Sequence, residues 1–233
     1  MSGNTPRQFD RRTMLKGAVA SSAAILGGLG TARAAAQPAA SPAPSSAAGA
    51  AAADPLLIQR ENAQAGALDW QLTRVRLDKV GGFRSPWIEG YCSRQSVQAG
   101  EALDIMVSTD PPGRFTIEIF RTGYYGGRGA RLMTTLGPFA GQAQPVPPVG
   151  EKRLRECRWE PATRLVIPQD WPSGVYLGRL SLLPDEQTGG YWQSYVVFIV
   201  RDNRPADILL QCSDNTWQAY NRWPGDYSVY TGP

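Results

Sequence analysis

From about residue 88 to residue 200 the chain repeats one pattern: apolar and polar side chains alternate with a period of two, interrupted by glycine and proline. Leu103, Ile105 and Val107 alternate with Asp104, Met106 and Ser108, and Phe115, Ile117 and Ile119 with Thr116, Glu118 and Phe120. Side chains two apart share one face of a strand, so this pattern predicts half-buried β-strands. Further strands are predicted at residues 88–91, 131–136, 164–167, 175–183 and 191–200. Residues 196–200 form an unbroken apolar run, which fits a central strand covered on both faces. Turn signals separate the strands: Ala99-Gly100-Glu101, Asp110-Pro111-Pro112-Gly113, Gly126-Gly127, Trp171-Pro172-Ser173-Gly174 and Thr188-Gly189-Gly190. Residues 142–150, with Pro145, Pro147 and Pro148, read as a loop. No helical apolar period of useful length follows the first 34 residues. The expected fold is mainly β, an immunoglobulin-like β-sandwich over residues 56–202.

The pattern changes after Asp202. Ile208-Leu209-Leu210 is a short apolar run, followed closely by Ser213, Asp214, Asn215, Thr216, Trp217, Tyr220, Asn221 and Trp223. A buried strand that delivers polar and aromatic side chains at its C-terminal end is the usual ligand-binding arrangement of an α/β sheet. A parallel partner needs a crossover of about a dozen residues or more, which residues 221–233 cannot supply together with a second strand. Residues 203–233 are therefore expected to be the first strand of a truncated α/β domain.

The start of the chain reads as an export signal. Arg11-Arg12 precedes an uncharged stretch rich in Ala, Gly and Leu, and Ala32-Arg33-Ala34 is a small-x-small cleavage site. The apolar stretch is shorter than the roughly 20 residues of a spanning helix. The expectation is a twin-arginine signal at residues 1–34, no stable membrane span once it is removed, and a periplasmic or secreted product. Residues 35–55 are mostly Ala, Pro and Ser and read as a disordered linker.

The leader also carries the charge imbalance. It holds five of the 24 Lys and Arg (Arg7, Arg11, Arg12, Lys16, Arg33) and one of the 20 Asp and Glu (Asp10), leaving 19 of each sign in the remainder. With no basic excess, and only the brief run Lys152-Arg153-Leu154-Arg155 between Glu151 and Glu156, the sequence has no nucleic-acid footprint.

The chain contains no histidine. That excludes Ser-His-Asp and Cys-His sites in their usual form and histidine-based zinc sites. Cys92, Cys157 and Cys212 show no C-x-x-C spacing. They read as buried or half-buried thiols, with a Cys92–Cys157 disulfide open to a chain in an oxidising compartment. Gly123-Tyr124-Tyr125-Gly126-Gly127-Arg128-Gly129 lacks the Lys-Ser/Thr pair and following helix of a phosphate loop. It reads as a hairpin whose glycines supply positive φ, with Tyr124 and Tyr125 available as an exposed aromatic contact.

Three segments together resemble one family. They are Ile119-Phe-Arg-Thr-Gly-Tyr-Tyr-Gly-Gly-Arg-Gly-Ala-Arg-Leu132, Asp170-Trp-Pro-Ser-Gly-Val-Tyr-Leu177 and Ser213-Asp-Asn-Thr-Trp-Gln-Ala-Tyr-Asn-Arg-Trp223. In this order they resemble the N-terminal part of the large (beta) subunit-like proteins of the N,N-dimethylformamidase family, from about Glu61 onward. The resemblance implies a β-sandwich followed by an α/β domain similar to glutamine amidotransferases. It also implies amide hydrolysis at a mononuclear iron held by tyrosine and glutamate oxygens. An ion in such a hard-oxygen site polarises an amide carbonyl and acidifies bound water. The family's first tyrosine ligand follows a strand in an Ala-Tyr-Asn context, and Ala219-Tyr220-Asn221 is the matching segment. The resemblance thus makes Tyr220 the candidate iron ligand. Packing of Tyr220 at a domain seam with Trp217 and Trp223 is the other reading.

One phenolate cannot hold iron alone, so no cofactor is expected in this chain by itself, and the chain is expected to be inactive alone. Self-association, or a completing polypeptide, is expected through residues 203–233. The competing reading is an exported β-sandwich module that binds glycan or protein through Tyr124, Tyr125 and Trp192. The two readings differ over residues 208–210, which are exposed in the first and packed on the sandwich in the second.

Overall fold

The computed structural model describes residues 54–77, 82–151, 154–184, 191–225 and 227–230. By its contacts the chain divides into a unit of residues 1–48 and a unit of residues 49–233. The first unit, which includes the stretch read as an export signal, lies outside the described residues, as do almost all of the stretch read as a linker, Lys152, Arg153 and the turn expected at 188–190.

The second unit contains two β-sheets. The strands are β1 (Glu89–Cys92), β2 (Ser96–Gln98), β3 (Ala102–Ser108), β4 (Arg114–Thr122), β5 (Ala130–Ala140), β6 (Pro161–Val166), β7 (Gly174–Leu182) and β8 (Gln193–Arg201). One sheet has the order β1-β3-β6, the other β2-β8-β7-β4-β5. All pairings are antiparallel except the short parallel pair β2–β8. The fold is the β-sandwich that the alternating pattern predicts.

The core follows from that alternation. Leu103, Ile105 and Val107 of β3 meet Phe115, Ile117 and Ile119 of β4 in one buried cluster, with Leu180, Val196 and Phe198. Burying each such side chain contributes about 1.5–3 kcal/mol, so the sheet-to-sheet interface is the main source of stability. Gly90 marks a close approach of the layers. A Cβ there would lie 2.5 Å from the Met106 carbonyl and 3.0 Å from Leu180 Cδ1. At one end of the core Trp171 stacks on Tyr176, and Tyr176 on Phe198. The Tyr176 hydroxyl donates to the Pro172 carbonyl at 2.6 Å, which satisfies a polar atom that burial would otherwise strand.

Three expectations need correction. Strand β8 is hydrogen-bonded on both edges but not covered on both faces: Val196, Phe198 and Val200 are buried, whereas Val197 is 42% exposed. Its apolar run reflects β-propensity on an open sheet face rather than a second covering layer. Among the described residues there are two α-helices, α1 (Leu57–Asn62) and α2 (Asp214–Tyr220). At six and seven residues they are too short to carry a readable apolar period. Finally, residues 208–210 form no strand. No strand follows β8 among the described residues, and Ile208, Leu209 and Leu210 are 85%, 90% and 78% exposed. An apolar run becomes a strand only with a ladder partner. Both edges of β8, the preceding strand, are already taken by β2 and β7.

Candidate functional site

Helix α2 carries Tyr220, the residue singled out as a metal ligand. The helix buries none of its residues, and its N-cap Ser213 makes no side-chain capping bond. A helix this short is marginal in isolation. It is steadied by the chain that follows it: the Val229 N–H donates to the Ala219 carbonyl at 3.1 Å, and the Tyr220 and Tyr230 rings lie 4.8 Å apart. Tyr220 is 63% exposed. Its aromatic neighbour is Tyr230, not the Trp217 and Trp223 of the seam reading. Among the described residues no three His, Cys, Asp or Glu side chains come together in a way that could hold a metal ion. The described residues thus gather no carboxylates around Tyr220, and an exposed phenol by itself does not replace the water around a ferric ion.

Just beyond α2 the chain turns back onto the sandwich. Trp223 inserts its indole beside β1, and its Nε1–H donates to Glu89 Oε2 at 2.8 Å. Glu89 is buried. Its Oε1 accepts from Arg84 Nε at 2.5 Å, and its Oε2 also accepts from the Ser85 N–H at 2.9 Å. Arg84 in turn donates to Ser108 Oγ and to the Gln144 carbonyl, and its guanidinium lies over the Trp159 ring. Trp159 meets Trp223 edge-on at 5.9 Å. The Phe83 N–H donates to the Pro224 carbonyl, and Arg222 lies over the Phe83 ring. Here a buried carboxylate is compensated by a cation, a backbone donor and an indole, as burial of charge requires.

The same region holds Cys157. Burial pushes its thiol pKa up, the Glu89 charge adds to that, and Arg84 partly opposes it. Burial raises Cys92 to about 12. Both stay protonated at neutral pH and are poor nucleophiles. All three cysteines are free, so the Cys92–Cys157 disulfide is not formed. Cys92 faces the core beside its cluster, where a bridging partner would have to displace packed side chains.

The glycine-rich motif forms the β4–β5 connection. Gly126, Gly127 and Gly129 all have positive φ, as expected for a tight hairpin, and Tyr125 also sits at φ 42°. Tyr125 is not an exposed contact. It is only 2% exposed, and its hydroxyl donates to Glu61 Oε1 at 2.6 Å while accepting from Arg121 at 2.8 Å. Arg131 holds both oxygens of Glu61 at 2.8 and 2.9 Å. The motif therefore anchors α1 to the sheet. Of the proposed binding aromatics only Tyr124 stands in solvent. Trp192 is half-buried and stacks on Trp87 at 4.0 Å, with Arg74 over its ring. Its indole N–H is buried without a partner among the described residues.

Sequence reasoning found Tyr220 and Tyr125 but missed Glu89, Arg84 and Glu61. Glu89 and Trp223 are 134 residues apart, Glu61 and Tyr125 64, so no local spacing links them. The available signal was a glutamate in the apolar stretch Trp87-Ile88-Glu89.

The three motifs that carried the resemblance all fall from β4 onward. A family model described as N,N-dimethylformamidase beta subunit-like, C-terminal, matches residues 116–233, just over half of the 233 residues. The chain belongs to this family. The match is to a C-terminal model, whereas the motifs suggested the N-terminal part of such a subunit. No curated protein matches the chain. The family match runs from within β4 through β8 and the segment bearing Tyr220 and Trp223, so these strands and that segment fall in one family region, and β1 to β3 lie before it.

Proposed function

We propose that this chain is the scaffold part of an exported N,N-dimethylformamidase-like amidohydrolase, completed by further polypeptide that covers residues 203–233. The observation that carries the proposal is the exposure of the apolar side chains in that segment. Ile208, Leu209 and Leu210 stand in solvent, with Trp217, Tyr220, Tyr227, Val229 and Tyr230 also exposed. Scattered apolar residues on a surface need no explanation, but a run of them on one segment marks a contact site. Exposure at 208–210 also favours this reading over a self-sufficient binding module, which would pack that segment on the sandwich. The module reading loses two of its three aromatics, since Tyr125 is buried and Trp192 is stacked on Trp87.

In this reading the sandwich holds the segment and contributes Tyr220 to a site whose other oxygen ligands come from the completing polypeptide. Iron, when bound there, would polarise the amide carbonyl. The described residues gather no such site by themselves, so no step of the reaction is assigned to them. The test is to purify the chain, add ferric iron, and follow both the visible tyrosinate-to-iron band and dimethylamine release from N,N-dimethylformamide. Neither is expected until a completing polypeptide that covers residues 203–233 is supplied. Stoichiometric iron binding by the chain alone, lost in Tyr220→Phe, would overturn the scaffold reading. So would an absence of hydrolysis after that polypeptide is added.

A further inference from the structure

We propose that Glu89 is a positioning residue, the centre of a clasp through which the sandwich sets where the Tyr220-bearing segment stands. Three observations converge on it. The segment has few other holds: α2 buries nothing, and residues 208–210 stand in solvent. Trp223, three residues after Tyr220, is by contrast tied to β1 through Glu89 and to Trp159 by ring contact. The backbone is shaped for the same contact, because Gly82, at φ +105°, leaves room for the Pro224 carbonyl, which would lie 2.6 Å from any Cβ placed there.

The hydrogen bonds explain why the residue must be a carboxylate. Oε1 faces an Arg84 donor, and Oε2 faces two donors, Ser85 N–H and Trp223 Nε1–H. A carboxylate accepts on both sides, whereas a glutamine amide is a donor on one side. Glutamine at position 89 would turn its NH2 against either Arg84 or the Ser85–Trp223 pair. Its shape fits and its polarity does not. Arg84 is fixed independently by Ser108, Gln144 and Trp159, so the carboxylate is oriented by the sandwich, and the indole is the part that docks.

The clasp's relevance to catalysis rests on the reading of this chain as an amidohydrolase scaffold; the clasp itself does not. The experiment therefore reads the clasp without activity. In the full chain, hydrogen exchange is followed by mass spectrometry over residues 213–225 and over β4 and β7, together with tryptic cleavage after Arg222. Loss of a hydrogen bond to a charged group is expected to make segment exchange and Arg222 cleavage about tenfold faster in Glu89→Gln and in Trp223→Phe. Exchange in β4 and β7 should stay unchanged in Trp223→Phe. The double variant should be no faster over the segment than the faster of the two single variants, since both act on the same Glu89–Trp223 contact.

Unchanged segment exchange in Trp223→Phe would overturn the proposal, as would equal acceleration of β4 and β7 in that variant, which would mean global loosening. Additive effects in the double variant would overturn it too. Should Glu89→Gln fail to fold, Trp223→Phe and Gly82→Ala test the same clasp from the segment's side and the backbone's side. A scaffold reading that fails its iron and hydrolysis test leaves these exchange results unaffected, so the two failures are distinguishable.

Discussion

Tyr125 shows how a single residue of a glycine-rich motif came to face inward. Its ring is buried, and its hydroxyl is shared between the Glu61 carboxylate and Arg121, so ionising it in the folded state would place an anion beside Glu61. Burial, and then the hydrogen bond to Glu61, raise its pKa from 10.0 to about 12, with Arg121 opposing. Burial alone takes Cys92 from 9.0 to about 12, and burial also raises Tyr176. For each group the unfolded chain releases its proton at lower pH than the folded chain does. Each contribution to stability is therefore complete below the unfolded pKa and is lost as pH rises toward the folded one. The denaturation midpoint is expected to fall between pH 9 and pH 12, and urea titrations across that range check it. The Cys92→Ala variant should show a shallower fall in the first part of the window, near pH 9 to 10, where the thiols of Cys92 and Cys157 contribute before the tyrosines do. A midpoint that is flat or rising over this range would contradict the burial of these groups.

At the scale of elements, the sandwich and the segment after it differ in how they are held. Strands β3 and β4 were legible in the sequence because Leu103, Ile105 and Val107, and Phe115, Ile117 and Ile119, repeat the period of a pleated strand over several residues. Strand β2 has three residues, too few to establish a period, and α1 and α2, with six and seven, span too little of a helical one. Ile208 to Leu210 looked like a strand because apolar composition is local, whereas strand formation depends on a distant edge to pair with. The candidate site was legible only as far as Tyr220. The clasp depends on two residues brought together by the fold from opposite ends of the domain.

The same difference yields a prediction. Without residues 203–233, Glu89 keeps Arg84 and Ser85 as partners, and the core cluster lies entirely within residues 88–200. Residues 56–202 expressed alone should therefore fold, with β-type circular dichroism and one cooperative thermal transition. A disordered spectrum would show that the following segment supports the sandwich as well as being held by it.

Taken whole, the sequence joins a basic N-terminal stretch to a neutral remainder. The excess of basic groups belongs to residues 1–34, and the rest carries 19 of each sign. The described unit suits export in the folded state. Its strands are paired into two sheets around one core, and its three cysteines are free, so its fold needs no oxidation after transport. We propose twin-arginine export on these grounds, with Arg11 and Arg12 as the determinant. Lysine preserves both charges but not the planar five-donor guanidinium, so the exchange is conservative in charge and not in recognition. Arg11→Lys combined with Arg12→Lys is expected to leave the precursor in the cytoplasm, with its leader uncut. Fractionation and immunoblotting of the two forms measure this. If the paired variant reaches the periplasm and is processed at the rate of the parent, the arginines are not being read as a pair. The apolar stretch before Ala32-Arg33-Ala34 would then be acting as a general secretion signal, which needs positive charge of either kind.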